Sequence, residues 1–155
     1  MNNTEALRGF LLDANKAGYA SGTPGTKEPD GSTTIEFESG DYKMQDNFFG
    51  GEPYGGREVI FLEGKPIWIM VYYGNVDESV ENVRDIYTFL QKALAQPPED
   101  LPLRGPKVFE EGDLKYENSW QGELEKFSGK EIITRNRRMI YGARYLGGEV
   151  DKRGE

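Results

Sequence analysis

The chain has 155 residues, with 19 Lys plus Arg against 27 Asp plus Glu, a formal net charge of −8, and neither histidine nor cysteine. This length predicts a single domain over residues 1–155, since one domain commonly takes about 100–200 residues. The missing residue types exclude disulfides, thiolate zinc sites, cysteine nucleophiles and Ser-His-Asp catalysis. The negative charge argues against nucleic acid as a direct partner, because phosphate backbones attract Lys and Arg.

No segment predicts export or membrane insertion. The N-terminal residues lack the basic and apolar regions of a signal peptide. The longest apolar stretch, residues 66–73, is far shorter than the ~20 residues of a membrane-spanning helix. We therefore expect a cytoplasmic protein without a membrane partner, and the absence of cysteine fits that compartment. We also predict no metal site and no cofactor.

The first predicted element is a helix that begins near Thr4, because apolar residues recur at helical spacing from Leu7 to Ala17. Residues 21–32 are rich in Gly, Pro, Thr and Asp, which predicts an exposed loop. Four strands are then predicted, at residues 33–38, 41–49, 57–62 and 65–73. The last two of these form a hairpin across Glu63-Gly64.

The second half of the chain predicts the same kinds of element. A helix begins near Ser79 and ends before Pro97-Pro98, where proline cannot continue it. A proline-rich connector at residues 97–107 follows it. Strand patterns return at residues 107–110, 114–120, 130–134 and 139–146. Residues 148–155 are charged, and we expect them to form a flexible tail.

Two parts of the sequence are similar to each other. The run Phe37-Glu38-Ser39-Gly40-Asp41 matches Phe109-Glu110-Glu111-Gly112-Asp113, and the similarity continues in order as far as Gly74 and Gly147. A predicted helix precedes each part. The sequence therefore predicts an α+β fold that arose by tandem duplication of a helix plus a four-stranded antiparallel unit, with two helices packed on a curved antiparallel sheet. The repeats would span approximately residues 4–76 and 80–150. An alternative is that any two hairpins with glycine turns look alike.

Alternation along the strands predicts which side chains face inward. Trp68 and Tyr72 share one side of the strand at residues 65–73, and Tyr141 and Tyr145 share the matching side of the last strand. Arg144 lies on the opposite side of the last strand, which therefore faces water. We conclude that the aromatic sides are interior.

The strand at residues 41–49 turns Tyr42, Asp46 and Phe48 toward that interior, and Asn118 lies at the position that matches Asp46. An interior carboxylate costs several kcal/mol unless it is paired or neutralised. Asp46 therefore either caps a turn near Asn47 or is the polar anchor of an aromatic pocket.

Glu58 and Glu131 form a second matched pair, because each follows a glycine by two residues and a basic residue by one. This pattern predicts either a surface ion pair or cross-strand contact, or, for Glu58, a place beside Asp46 under the rings of Trp68 and Tyr72. In the second case, an acidic hollow lined by aromatic rings would suit a cationic or hydroxyl-rich ligand.

Three functional hypotheses follow. The first is a non-enzymatic, sensor-like domain that binds a small molecule or a protein partner. The second is a carboxylate-based hydrolase that uses Asp46 and Glu58 as acid and base. The third is a structural or oligomerisation module with an apolar patch on the outer side of Ile67, Ile69 and Val71. The predicted ligand-binding residues are Tyr42, Asp46, Phe48, Glu58, Trp68, Tyr72, Asn118, Tyr141 and Tyr145.

A glycine and aromatic pattern spans nearly the whole chain. Its residues are Phe10-Leu11-Leu12, Ala17-Gly18-Tyr19-Ala20, Gly40-Asp41-Tyr42, Asp46, Phe48-Phe49-Gly50-Gly51, Gly56-Arg57-Glu58, Pro66-Ile67-Trp68-Ile69-Met70, Tyr72-Tyr73-Gly74, Pro102, Arg104-Gly105-Pro106 and Gly112-Asp113. In these residues the sequence resembles a domain of unknown function found in bacteria and archaea, which often lies C-terminal to a helix-turn-helix segment in regulators of the XRE type. The resemblance implies a sensor or interaction domain and supplies no catalytic residues. Because no helix-turn-helix precedes the first predicted helix in this sequence, we do not expect direct DNA binding.

Overall fold

The computed structural model describes residues 3–20 and 25–153, apart from the side chains of residues 19 and 20. Residues 21–24 of the predicted loop and residues 154–155 of the predicted tail lie outside the described residues. In chain order the elements are α1 (Asn3–Ala20), β1 (Thr26–Lys27), β2 (Thr33–Ser39), β3 (Tyr42–Phe49), β4 (Tyr54–Leu62), β5 (Lys65–Val76), α2 (Val83–Leu94), β6 (Val108–Glu111), β7 (Leu114–Glu123), β8 (Lys126–Arg135) and β9 (Arg138–Glu149).

The described strands form one antiparallel sheet of nine strands in the order β1-β2-β3-β4-β5-β9-β8-β7-β6. Most neighbours in the sheet are also neighbours along the chain, so simple hairpins account for most of the pairing. The exception is the pairing of β5 with β9, which runs from Trp68 opposite Glu149 to Val76 opposite Tyr141. This pairing brings the two halves of the chain together.

The predicted fold, two tandem units of a helix plus four strands packed as helices on a sheet, is wrong. The chain instead forms a single large antiparallel sheet with two helices, and the sheet is continuous through β5 and β9. The region before α2 contributes five strands, because Thr26 and Lys27 in the predicted loop pair with β2. Separate four-stranded sheets would leave four edges of unpaired backbone groups, whereas one continuous sheet leaves two.

Several strands are longer than predicted, because backbone partners come from neighbouring strands whatever the local side-chain pattern is. β4 begins at Tyr54 and β5 runs to Val76. β9 takes in Gly148 and Glu149, the first two residues of the predicted tail, and the Val150 amide donates to the Ile67 carbonyl at 3.0 Å.

The helix α1 contacts α2 and β2, and α2 contacts β7. The prediction that the aromatic sides of β5 and β9 are interior is confirmed, since Trp68, Tyr72, Tyr141 and Tyr145 are all buried. On the opposite side of the same two strands, Val71, Tyr73 and Leu146 are exposed. No helix within residues 3–20 and 25–153 is long and apolar enough to cross a membrane.

The connector between α2 and β6 is irregular, as predicted, and residues 101–105 of it are buried. It is held from α1, where Asn15 Nδ2 donates to the Pro102 carbonyl at 2.6 Å and Arg8 Nε donates to the Asp100 carbonyl at 2.9 Å. This buried course carries Arg104 into the interior.

Candidate functional site

Two carboxylates lie side by side on the inner face of the sheet. Asp46 on β3 is directly opposite Glu58 on β4, and Glu58 is in turn opposite Met70 on β5. Asp46 is 8% exposed and Glu58 is 2% exposed. Directly paired cross-strand residues have Cβ atoms about 4.5–5.5 Å apart, so the two acids interact strongly.

A tyrosine two strands away reaches Asp46 across a glycine. On β4, Gly56 lies between Phe48 of β3 and Tyr72 of β5. A Cβ atom added at Gly56 would come within 2.6 Å of the Phe48 Cβ, which no side chain at this position could avoid. From the other side of Gly56, the Tyr72 hydroxyl donates a hydrogen bond to Asp46 Oδ1.

Glu58 lacks the hydrogen bonds that a buried carboxylate needs. Its Oε1 atom is buried and has no hydrogen-bond partner among the described residues. Burial raises the pKa of Glu58 to about 8, and the neighbouring Asp46 carboxylate adds to this rise. Burial also raises the pKa of Asp46 to about 6, against the lowering effects of the Tyr72 hydrogen bond and the Arg104 charge. At neutral pH the pair therefore holds about one proton, mostly on Glu58.

The nearest cation is already engaged. Arg104 Nε donates to Glu131 Oε1 at 2.8 Å, and Nη2 lies 2.8 Å from the same oxygen in an ion pair between two almost fully buried side chains. Its Nη2 also donates to the Tyr54 hydroxyl at 3.2 Å. The guanidinium carbon lies 5.3 Å from the centre of the Tyr72 ring, within the range of a cation–π contact.

A cavity of about 380 Å³ opens beside the two carboxylates. Its polar part is formed by Asp46, Glu58, Arg104 and the hydroxyl-bearing side chains of Tyr54 and Tyr72. The remaining wall comes from both helices, from β2 and β3, and from the loop between β3 and β4, and is mainly apolar. The residues of that wall are Ala14, Asn15, Gly18, Ile35, Met44, Phe48, Gly50, Gly51, Tyr87, Leu90, Gln91 and Leu94.

A second polar cluster lies in β7 and β8, where Asn118 is directly opposite Glu131. The Tyr145 hydroxyl donates to Asn118 Oδ1 at 2.7 Å, and Asn118 Nδ2 donates to the Gly105 carbonyl at 2.8 Å. The Tyr116 hydroxyl donates to Glu131 Oε2. Together with Arg104, these contacts give every polar side-chain atom of the Asn118–Glu131 pair a hydrogen-bond partner.

The structure brings four of the nine predicted site residues together at the cavity, namely Asp46, Phe48, Glu58 and Tyr72. The other five lie elsewhere in the interior. Tyr42 stacks on Phe10 with ring centres 5.3 Å apart. Trp68 donates from Nε1 to the Leu124 carbonyl at 2.9 Å and stacks on Phe127. Asn118 and Tyr145 belong to the second cluster, and Tyr141 shares a hydrogen bond with Tyr54.

Burial excludes one of the alternatives that the sequence left open for the acidic residues. Glu58 and Glu131 are both interior, so neither forms a surface ion pair with Arg57 or Lys130. Each has a cross-strand contact instead, Glu58 with Asp46 and Glu131 with Asn118. Asp46 accepts from Tyr72 and is part of the cavity wall.

Sequence reasoning missed Arg104, Tyr54 and Tyr87 as cavity residues. Arg104 lies in a connector without periodicity, so no pattern predicts the direction of its side chain. The only signal was its place in the resembling segment Arg104-Gly105-Pro106. Within the described part of the chain, no three Asp or Glu side chains converge as metal ligands would.

A family model described as a domain of unknown function, DUF5680, matches residues 46–150. The match begins at Asp46 and includes Glu58, Tyr72, Arg104 and Glu131. No curated protein and no solved structure matches the chain.

Proposed function

The chain belongs to the DUF5680 family, and we propose that it is a small-molecule-binding domain whose ligand occupies the cavity at Asp46 and Glu58. One observation carries this proposal: a buried carboxylate with an unpartnered oxygen forms part of the wall of a cavity of about 380 Å³. Ligand sites in proteins commonly measure about 300–1,000 Å³ and combine an apolar wall with a few polar groups.

The position of the cavity supports a sensor-like role. Its wall includes residues from α1, α2, β3, β4 and the connector, so an occupant would contact elements that are distant along the chain. Binding to the folded state alone would stabilise these contacts by mass action. We further propose that the domain acts in the setting that its resemblance implies, as a ligand-responsive module associated with transcription regulators.

A pair of glycine substitutions in α1 tests the proposal. Gly18 borders the cavity, and a Cβ atom added there would meet nothing within 4 Å, so Gly18→Leu would place a side chain toward the cavity without a backbone clash. Gly9 lies in the same helix, also has nothing within 4 Å and is not part of the cavity wall, so Gly9→Leu is the matched control. Replacing a glycine inside a helix by leucine stabilises the helix by up to about 1 kcal/mol. This effect is common to both variants.

The measurement is a fragment and metabolite screen of the full chain by ¹H–¹⁵N chemical-shift changes. We expect compounds that shift the amides of β3 and β4 in the unmodified protein and in Gly9→Leu, and that fail to do so in Gly18→Leu. A screen with no such compound, or with compounds that bind Gly18→Leu equally well, would falsify the proposed function.

Hydrolysis by Asp46 and Glu58 is the second candidate function. The observation that favours it is the direct pairing of the two acids on one face, with their pKa values raised to about 6 and about 8. Two carboxyl groups whose environments separate their pKa values can divide the acid and base roles. Retaining glycosidases place such groups about 5–5.5 Å apart.

This second candidate predicts hydrolysis of at least one 4-nitrophenyl glycoside by the full chain. Activity should be lost in Glu58→Gln and in Gly18→Leu but retained in Gly9→Leu. Hydrolysis that persists in Glu58→Gln would show that another group, or a contaminant, performs the reaction.

A further inference from the structure

The Asn118–Glu131 cluster shows what a buried acid requires in this fold. Glu131 accepts a hydrogen bond from Arg104 Nε and one from the Tyr116 hydroxyl, and it forms an ion pair with Arg104 Nη2. Its cross-strand neighbour, Asn118, is neutral. A buried carboxylate is stable when a cation compensates its charge and donors satisfy its oxygens, and this cluster meets both conditions with residues of the chain itself.

The Asp46–Glu58 pair meets neither condition fully. The cross-strand neighbour of Glu58 is a second acid, Asp46, whereas that of Glu131 is the amide Asn118. One hydrogen-bond donor, the Tyr72 hydroxyl, reaches Asp46, while Glu58 Oε1 has no partner within the described residues. Met44 occupies the position on β3, opposite Ile60, where β7 has Tyr116 opposite Ile133. The side chain that serves Glu131 as a hydroxyl donor is therefore replaced by a thioether.

The charged residues around the Asp46–Glu58 pair show what the pair lacks. Among the described residues of the cavity wall, the charged side chains are Asp46, Glu58 and Arg104. Arg104 forms its ion pair with Glu131, so the cationic charge of the site is matched by an acid outside the cavity wall. What the pair lacks is one positive charge together with N–H donors.

We propose that the cavity selects a ligand with a cationic nitrogen head group, an ammonium or a guanidinium, which lies between Asp46 and Glu58 and extends an apolar body toward the helices. This inference rests on the proposed function and names the ligand class of that site. The head group supplies Glu58 with what Arg104 supplies Glu131. The body packs on Ile35, Met44, Leu90 and Leu94, which belong to the apolar part of the wall.

A neutral hydroxyl would serve the site less well. It can donate a single hydrogen bond and leaves the charge of the pair uncompensated, whereas an ammonium has three donors and a guanidinium has five. Hydrogen bonds between ionised partners are about twice as strong as those between neutral groups. The ring of Tyr72, with Phe48 and Tyr54 nearby in the wall, offers an additional cation–π contact.

Proton release gives the proposal an independent signature. A cation between the two acids favours their ionised forms, so the proton held mostly by Glu58 near pH 7 should leave when the head group binds. The groups that face this proton are Asp46, Tyr72 and Arg104, and Arg104 remains charged throughout. Calorimetric titrations in buffers with different ionisation enthalpies measure the released protons.

The test compares matched probes on the full chain at about pH 7: butylamine with 1-butanol, cyclohexylamine with cyclohexanol, and 2-phenylethylamine with 2-phenylethanol. We expect at least one amine to bind about tenfold or more tightly than its alcohol, which corresponds to about 1.4 kcal/mol, with net proton release. Glu58→Gln should remove most of that preference, and Glu38→Gln, which changes an exposed carboxylate on β2, should leave it unchanged. Circular dichroism establishes that each variant is folded, and Asp46→Asn provides a second variant of the pair.

Each remaining outcome decides the question. Amines that bind no more tightly than their alcohols, or a preference that survives both Glu58→Gln and Asp46→Asn, overturn the head-group inference. If the alcohols bind and Gly18→Leu abolishes that binding, the proposed function stands while the ligand class is wrong. If no amine of the three binds at millimolar concentration, the ligand class is wrong as well, and the screen with Gly18→Leu and Gly9→Leu then decides separately on the proposed function.

Discussion

The β3–β4 region and the β7–β8 region place polar residues in the same arrangement but complete it differently. In each, an Asp or Asn lies opposite a Glu, and a tyrosine reaches over a glycine to bond that Asp or Asn: Tyr72 over Gly56, and Tyr145 over Gly129. A Cβ atom at Gly129 would lie 2.0 Å from the Tyr145 ring. Gly129 therefore makes room for the tyrosine, whereas Gly56 makes room for Phe48 of the neighbouring strand.

The difference lies in what surrounds the glutamate. Glu131 has Arg104, Tyr116 and a neutral neighbour, whereas Glu58 has an acidic neighbour and an oxygen without a partner. The connector between α2 and β6 explains this difference, because it forms hydrogen bonds with the β7–β8 region. Arg104 donates to Glu131, and the Gly105 carbonyl accepts from Asn118. In the β7–β8 cluster the chain itself supplies a hydrogen-bond partner for every polar side-chain atom of the pair. In the β3–β4 pair, one carboxylate oxygen has no partner among the described residues, and the pair lies beside a cavity.

The largest expected effect comes from removing the cation of the β7–β8 cluster. Arg104→Met leaves the Glu131 carboxylate buried without its ion pair, and breaking such a pair typically costs about 3–5 kcal/mol. Lys92→Met is the matched control, because Lys92 pairs with Glu111 at the surface, where a salt bridge contributes about 1 kcal/mol or less. Urea denaturation measures both variants, and equal losses would contradict the structural role of Arg104.

The next effect concerns the pH dependence of stability at the Asp46–Glu58 pair. The folded-state pKa of Glu58 is raised from 4.5 to about 8, so between these values the folded protein binds a proton that the unfolded chain has released. The free energy of unfolding therefore falls as pH rises from about 4.5 to about 8, by several kcal/mol from this group.

Glu58→Gln isolates this effect, since every other titrating group is shared. The stability of the variant relative to the unmodified protein should increase steadily between pH 4.5 and about 8. Urea denaturation at a series of pH values measures the difference, and a constant difference across that range would show that Glu58 titrates normally.

A smaller loss is expected from Tyr145→Phe. The substitution removes the hydrogen bond to Asn118 Oδ1 and leaves a buried acceptor unsatisfied, which costs about 1–3 kcal/mol. The corresponding change in the β3–β4 region, Tyr72→Phe, should act mainly on protonation: it raises the pKa of Asp46 above about 6, because the Tyr72 hydrogen bond lowers that pKa. Denaturation measures the first effect and carboxyl ¹³C titration the second. Similar stability losses without a pKa change in Asp46 would argue against the contrast between the two regions.

The smallest effect is expected from a substitution that makes the Asp46–Glu58 pair resemble the Asn118–Glu131 pair. Asp46→Asn removes the negative charge beside Glu58, which should lower the pKa of Glu58 below about 8. The pKa should nevertheless stay above 4.5, because burial is the larger cause of the shift. Carboxyl ¹³C titration of Glu58 measures the change, and an unchanged value would mean that the two acids do not interact.

Much of the site was predictable from alternation. The inward direction of Asp46, Phe48 and Tyr72 follows from the period of two in their strands, and their neighbours in the sequence show the same pattern. Alternation shows which face of the sheet a side chain lies on, but not whether that position lies at the cavity or in the packed core. Trp68 therefore shares its face with Tyr72, yet its indole lies in the packed core against Phe127 rather than at the cavity.

The partners of these residues were not predictable. Arg104 comes from an irregular connector and pairs with Glu131, 27 positions away, and no local rule connects them. The helices that close the cavity also had no sequence signal for their placement, although their apolar stripes were visible. The predicted fold of two tandem units was wrong for a related reason. A strand pattern in the sequence does not show which strands will pair with each other, and here β5 pairs with β9.

By itself, the sequence determined the two helices, most of the strands and the side of each strand that faces the interior, because backbone geometry and alternation act between residues that are close along the chain. Tertiary structure alone decided that β5 and β9 join into one sheet, that Arg104 forms its ion pair with Glu131, and that a Glu58 oxygen without a partner among the described residues lies beside a cavity. These outcomes depend on charge and space shared by residues distant in sequence, and only the packed chain brings such residues together.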